Sequence, residues 1–207
     1  MIVTISTMAY SQSFTFVFLH KKADVAQLPK EESEKLMQGH MANIERLAKE
    51  GKLIAAGPFE EGGGIFIFKS NSIEETKSWL ETDPGVQAKR WNVEVLPYKP
   101  RYGSVCSVEA PYTMVMYQFV RYAVNLKKYT VQEIPATLKK HDDYLKELIK
   151  DGNVITEGIF GEQEGGILIL NKDFPKEKLE RDPLVSEGFL EMQFKQLYIA
   201  RGAFCEK

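Results

Sequence analysis

Apolar residues follow two rhythms along this chain, and the same succession of rhythms runs twice. Residues 14–19, FTFVFL, are β-branched and aromatic and predict a strand. Leu36, His40, Ile44 and Leu47 then recur at helical spacing, so residues 28–51 predict a helix. Acidic residues crowd its first turn and Gly51 is placed to end it. Residues 52–57, KLIAAG, and 64–70, GIFIFKS, predict two strands joined through PFEEGG. Residues 72–81 predict a second helix, with Ser72 and Glu75 at the spacing of a capping box. Residues 91–98, WNVEVLPY, alternate and predict a closing strand.

From residue 112 the order returns. YTMVMYQFV predicts a strand, and residues 134–152 a helix with Ile134, Leu138, His141, Leu145 and Leu148 on one stripe. NVITEG and GGILIL predict the next strand pair, FPKEKLE a short helix, and MQFKQLYIA the last strand. Residues 40–61 overlay residues 141–162 without a gap: His40 meets His141, Gly51 meets Gly152, Gly57 meets Gly158 and Phe59 meets Phe160. Asp83-Pro84 meets Asp182-Pro183 after small shifts that loops absorb. The period is too long for a solenoid and fits a duplicated domain.

The βαββαβ order predicts the α+β class, with an antiparallel sheet carrying both helices on one face. The strands are apolar at nearly every position, which predicts sheets covered on both faces. Two tandem ferredoxin-like units packed sheet on sheet, as a pseudo-dimeric α/β barrel, satisfy that requirement within one chain. The boundaries expected are a tail at 1–13, units at 14–100 and 112–207, and a linker at 101–111. Further pairing of two chains as a homodimer stays open.

Composition narrows the function. The formal charge of −2 over 207 residues argues against a nucleic-acid partner. No apolar run reaches the roughly 18 residues of a membrane span. Residues 1–12 read either as the remnant of a signal peptide, with Gln12 as first mature residue, or as an ordinary terminal tail, and the balance favours an exported protein. Cys106 and Cys205 follow the two units at matching places; a disulfide suits export, but two unpaired thiols are the expectation. No Cys or His spacing points to a metal site. The glycine-rich EEGGGIF joins two strands and no GK[ST] follows, so it reads as a turn rather than a phosphate loop. His20 reads as a strand-end residue.

The chain holds three histidines, and two of them take matching places in the repeat. His40 and His141 sit on apolar helix stripes, where an imidazole needs a hydrogen-bond partner. Asp83 and Asp182, each at the end of the second helix before a proline, lie on the same face of the sheet and are the expected partners. A carboxylate fixes the imidazole tautomer and favours its charged form, which suits proton transfer near neutral pH. The competing reading is two satisfied core histidines and two helix stop signals.

These residues resemble a known family. The first-helix histidine, GKLIAAGPF at 51–59, GNVITEGIF at 152–160, the glycine-rich hairpins and the two Asp-Pro pairs are similar to the YCII-related (YciI-like) domain, in two tandem copies over about 14–98 and 113–200. The resemblance implies a ferredoxin-like fold paired as a dimeric α/β barrel, with a His–Asp dyad in a cleft. It implies His40 with Asp83 and His141 with Asp182 as catalytic residues, and Gly57, Pro58, Phe59, Gly158 and Phe160 as the substrate-binding set. Ile159 departs from the pattern where the first copy has Pro58. A few members of that family eliminate chloride from hydroxyquinol-type intermediates of chlorinated-aromatic breakdown.

The function expected is therefore a small-molecule lyase or isomerase using His–Asp acid/base dyads, in dehydrohalogenation or enol–keto chemistry, with neither metal nor organic cofactor. The alternative is a non-catalytic ligand-binding or structural protein that keeps the dyads as core wiring.

Overall fold

The computed structural model describes residues 14–125, 127, 132–161 and 165–205, so the expected tail at 1–13 lies outside the described residues, as does the Ile134 side chain. The N-terminal half runs β1 (Phe14–Lys21), α1 (Lys30–Lys49), β2 (Leu53–Pro58), β3 (Gly64–Phe68), α2 (Ile73–Leu80), α3 (Pro84–Gln87), β4 (Trp91–Tyr102) and β5 (Ser104–Val105). The C-terminal half runs β6 (Met114–Val124), α4 (Ile134–Lys150), β7 (Val154–Ile159), β8 (Gly166–Asn171), α5 (Lys176–Glu180), α6 (Pro183–Ser186), β9 (Leu190–Ala200) and β10 (Phe204–Cys205).

Eight strands form one antiparallel sheet in the order β2-β3-β1-β4-β7-β8-β6-β9. The halves join where β4 meets β7, with Lys99 opposite Ile159 and Pro100 opposite Gly158. The outer strands also meet: Phe59 bridges Leu197, and the Glu60 N–H donates to the Gln196 carbonyl at 3.0 Å. Gly57 permits that approach, since a Cβ there would stand 2.6 Å from the Tyr198 carbonyl oxygen of β9.

Burial explains why the strands do not alternate in polarity. Phe14, Phe16 and Phe18 of β1 point into a core shared by both halves, with Phe119, Phe160, Ile167, Ile169 and Leu197. Val17 and Leu19, between them, point the other way, against Leu47 and Leu80 of the helices. β8 does the same: Ile167 and Ile169 face the shared core, while Leu168 and Leu170 face Leu145 and Leu148 of α4. Successive side chains of a strand take opposite faces, and here both faces are covered.

Four local expectations are corrected. Residues 101–111 are more than a linker: β4 continues to Tyr102, opposite Glu157, and β5 pairs with β10. Cys106 and Cys205 are not free thiols but a disulfide beside that β5–β10 pair, with Cα atoms 6.0 Å apart. The Asp-Pro pairs do more than stop a helix. Each starts a new short one, because aspartate accepts the free N–H groups of a first turn and proline suits its first position. The Ser72 cap is half of the expected box: its hydroxyl accepts the Glu75 N–H at 3.1 Å, but the Glu75 carboxylate takes the Ser70 hydroxyl at 2.6 Å.

Candidate functional site

Each half builds one imidazole–carboxylate pair from α1 or α4 and the start of α3 or α6. Asp83 is fully buried, and its two oxygens divide the work. Oδ1 accepts the Gly85 and Val86 N–H groups at 2.8 and 3.2 Å, which fixes the carboxylate at the start of α3. Oδ2 faces α1 and meets His40 Nδ1 at 2.8 Å. Asp182 repeats the division: Oδ1 accepts the Leu184 N–H at 2.9 Å, and Oδ2 meets His141 Nδ1 at 2.5 Å. An ionised carboxylate only accepts, so each Nδ1 carries the proton and each Nε2 is left for other chemistry.

The environment favours an ionised Asp83. Burial is the largest single influence and opposes the charge. The hydrogen bond and charge of His40, the Val86 N–H and the Asn43 amide together outweigh it and hold the carboxyl below the ordinary aspartate range. Asn43 Nδ2 reaches Asp83 Oδ2 at 3.3 Å. Sequence reasoning missed Asn43, although its place three residues after His40, one helical turn on, was the available signal. At the matching place of α4 stands Tyr144, whose hydroxyl donates to the Lys178 carbonyl instead.

The imidazoles are held but not sealed. His40 is 8% exposed and His141 7%. Among the described residues, each ring's recorded polar bond is made through Nδ1. His40 lies against Phe66 and Trp91, at 5.8 and 4.9 Å between ring centres, and lines a cavity of about 450 Å³. His141 meets the Tyr122 ring at 4.8 Å and lines a cavity of about 530 Å³. Both volumes suit a small organic molecule.

The expected substrate-binding set divides. Gly57 and Pro58 line the His40 cavity. Phe59, Gly158 and Phe160 do not line either cavity. Phe59 and Phe160, each just past the end of its strand, are side chains of the shared core, 6% and 1% exposed. Gly158 lies under Tyr98, whose ring would stand 2.6 Å from a Cβ there. Ile159 lines the His141 cavity, as do Arg101, Asp142 and Glu157, none of which the motif singled out. Arg101 arrives from β4, the strand of the other half. Its Nε and Nη2 donate to Glu157 at 2.7–3.0 Å and its Nη1 pairs with Asp142 at 2.9 Å. Burial pushes the Glu157 carboxyl above the ordinary range, against the pull of Arg101. Among the described residues, no group of three or more His, Cys, Asp or Glu is gathered as metal ligands.

The fold and these pairs define a class: an α+β protein with one large antiparallel sheet of ferredoxin-like arrangement and helix-borne histidines over its outer face. Comparison with known proteins agrees on the fold. Residues 14–100 match the family model of the YCII-related domain. A chlorite dismutase from Candidatus Nitrospira defluvii, in a single-site variant, superposes with a TM-score of 0.55 at 9% identity, over 91% of this chain and 92% of that one. The same enzyme with imidazole gives 0.51 at 10% identity, over 94% and 93%. A candidate monooxygenase from Fusobacterium nucleatum gives 0.51 at 8% identity, over 96% and 99%. These similarities establish a shared fold. No curated protein sequence matches the chain.

Proposed function

We propose that this chain is a tandem pair of YCII-like units, closed by the β2–β9 contact into a pseudo-dimeric α/β barrel, and that each unit carries an acid/base site of the lyase or isomerase type. The observation that carries the reading is the position of each histidine: Nδ1 is held by a buried aspartate, and the imidazole lines a cavity of ligand size. The element order, the two Asp–His pairs and the backbone contact between β2 and β9 support the tandem barrel.

In this reading His40 and His141 move protons at Nε2. Asp83 and Asp182 set the tautomer and stabilise the imidazolium that forms. On an enolisable ring, Nε2 removes a proton beside a carbonyl and returns it at another carbon. On a halogenated ring it takes the proton, the C–H electrons form the new double bond, and halide leaves. Both reactions balance with the imidazole alone. The cofactor-free expectation therefore stands as part of the proposal. Export also belongs to it, supported by the Cys106–Cys205 bond, since disulfides persist in oxidising compartments. Among the described residues no helix is long and apolar enough to cross a membrane.

The test is an NMR pH titration of the three histidines in wild type, Asp83→Asn and Asp182→Asn. His40 and His141 should titrate, and each should shift only with its own aspartate. Silence of both rings across pH 5–9 would return the pairs to core wiring. Exchange of the α-proton of an enolisable ring ketone in D2O then separates an enzyme from a binding protein. Catalysed exchange lost in His40→Ala or His141→Ala supports the enzyme, and binding without exchange rejects it.

A further inference from the structure

The two cavities are built from matching strand and helix positions, yet they differ in chemistry. Sheet register sets the correspondence, since Leu19 opposite Gly64 matches Tyr122 opposite Gly166. Ala56 opposite Phe66 matches Glu157 opposite Leu168. One residue after each paired histidine stands Met41 or Asp142. Around His40 these positions are Leu19, Ala56 and Met41, and the wall adds Met37 and Trp91. The methionines are half exposed at the rim, Met37 at 52% and Met41 at 49%, as adaptable side chains over an apolar space. Around His141 the same positions are Tyr122, Glu157 and Asp142, and Arg101 enters between the two carboxylates.

The changes are coupled. Arg101 needs counter-ions, and Glu157 and Asp142 supply them from positions that are apolar in the other half. They are not equivalent partners. Glu157 grips two sides of the guanidinium and its side chain is 7% exposed, so it is the fixed partner. Asp142 touches only Nη1 and its side chain is 36% exposed. A solvent-facing ion pair holds weakly, so an incoming carboxylate can replace Asp142 at Nη1 without disturbing Glu157. Lys139 lines the same cavity and is paired with exposed Asp143, an equally replaceable partner. The inner wall, Leu138, Val124 and Leu190, remains apolar.

We propose that the two sites take different ligands: the His40 cavity an uncharged apolar ring compound, and the His141 cavity an apolar body bearing a carboxylate, anchored on Arg101. The proposal rests on reading both cavities as the ligand sites of the acid/base pairs. It adds that a strand of the N-terminal half supplies the anion anchor of the C-terminal site. Arg101 is a specificity residue here, since it meets the ligand rather than the reacting carbon.

Two probes of similar size and opposite character test this by fluorine NMR on the whole chain: para-fluorotoluene and para-fluorobenzoate. Fluorobenzoate should weaken about tenfold or more in Arg101→Met, with fluorotoluene unchanged. It should tighten about threefold in Asp142→Asn, which frees Nη1 at an exposed position and leaves the buried pair intact. Fluorotoluene should weaken about tenfold in Ala56→Glu, with fluorobenzoate unchanged. Three results overturn the proposal: fluorobenzoate binding that is equal or weaker in Asp142→Asn, both probes weakening together in Ala56→Glu, or neither probe binding at millimolar concentration. The histidine titrations report separately on the acid/base pairs, so loss of ligand discrimination is distinguishable from loss of that reading.

Discussion

A buried polar side chain is defined by its partners, and single residues here show how much those partners change. His20 looks like an exposed strand-end residue. Its Nε2 meets Glu94 at 2.7 Å, and Arg121 closes on the same carboxylate with two bonds of 2.7 and 2.8 Å. Arg121 also lies over the Phe18 ring at 4.4 Å, so the cluster ties β1 and β4 to β6. Arg121 is the main reason that Glu94 is held down at about 2 from an ordinary 4.5, against the cost of burial. The folded state therefore binds this proton less readily than the unfolded state. The stability that follows is complete above pH 4.5 and is lost as pH falls towards 2. The Glu94 side chain is one-third exposed, so solvent screening reduces the effect to about 1 kcal/mol. Urea melts should show Glu94→Gln less stable than wild type by that amount at pH 7, and the gap closing near pH 3.

Elements carry the next lesson. β1 buries both faces, so its alternate residues serve two cores, but the two cores are not equally demanding. Phe16 touches Phe18, Tyr98, Phe119 and Phe160 within the shared core, at ring separations of 4.8–6.2 Å. Phe16→Ala should cost about 3–5 kcal/mol, in the range for a large buried aromatic. Val17, equally buried on the helix side, is smaller, and Val17→Ala should cost clearly less. Chemical denaturation of the two variants compares them, and equal losses would contradict the central place of the shared core. Helices α3 and α6 are among the elements that the hydrophobic pattern did not announce. Four residues are too few for a periodic stripe, and only the capping aspartate and proline mark them.

At the scale of the molecule, long-range links decide how the halves hold together. The Cys106–Cys205 bond spans 99 residues of sequence. In the chain-entropy account a loop of that size is worth about 4–5 kcal/mol through the unfolded state. Cys106→Ser with Cys205→Ser should lower unfolding free energy by up to about that much and leave the fold intact, since the shared core and the β4–β7 junction remain. Denaturation with and without reductant checks it: wild type should fall towards the double variant, and the variant should not respond to reductant.

The sequence by itself determined the order of the main strands and helices, the mixed class, the helix stripes and the placement of each histidine and aspartate, because these follow from local periodicity and from proline and glycine. It also pointed Asp83 towards His40, since both stand on one face of one sheet. It could not say which way the chain turns its side chains just past β2 and β7, and so it grouped Phe59 and Phe160 with Gly57 although they fill the shared core. It left the cysteines unpaired, because their proximity depends on β5 meeting β10. Arg101 shows the limit most clearly. No local pattern connects residue 101 to Asp142 and Glu157, and only the antiparallel junction of β4 with β7 carries the guanidinium into the cavity of the other half. Local spacing acts over a few residues, whereas a site assembled across strands depends on sheet order, which only the folded chain sets.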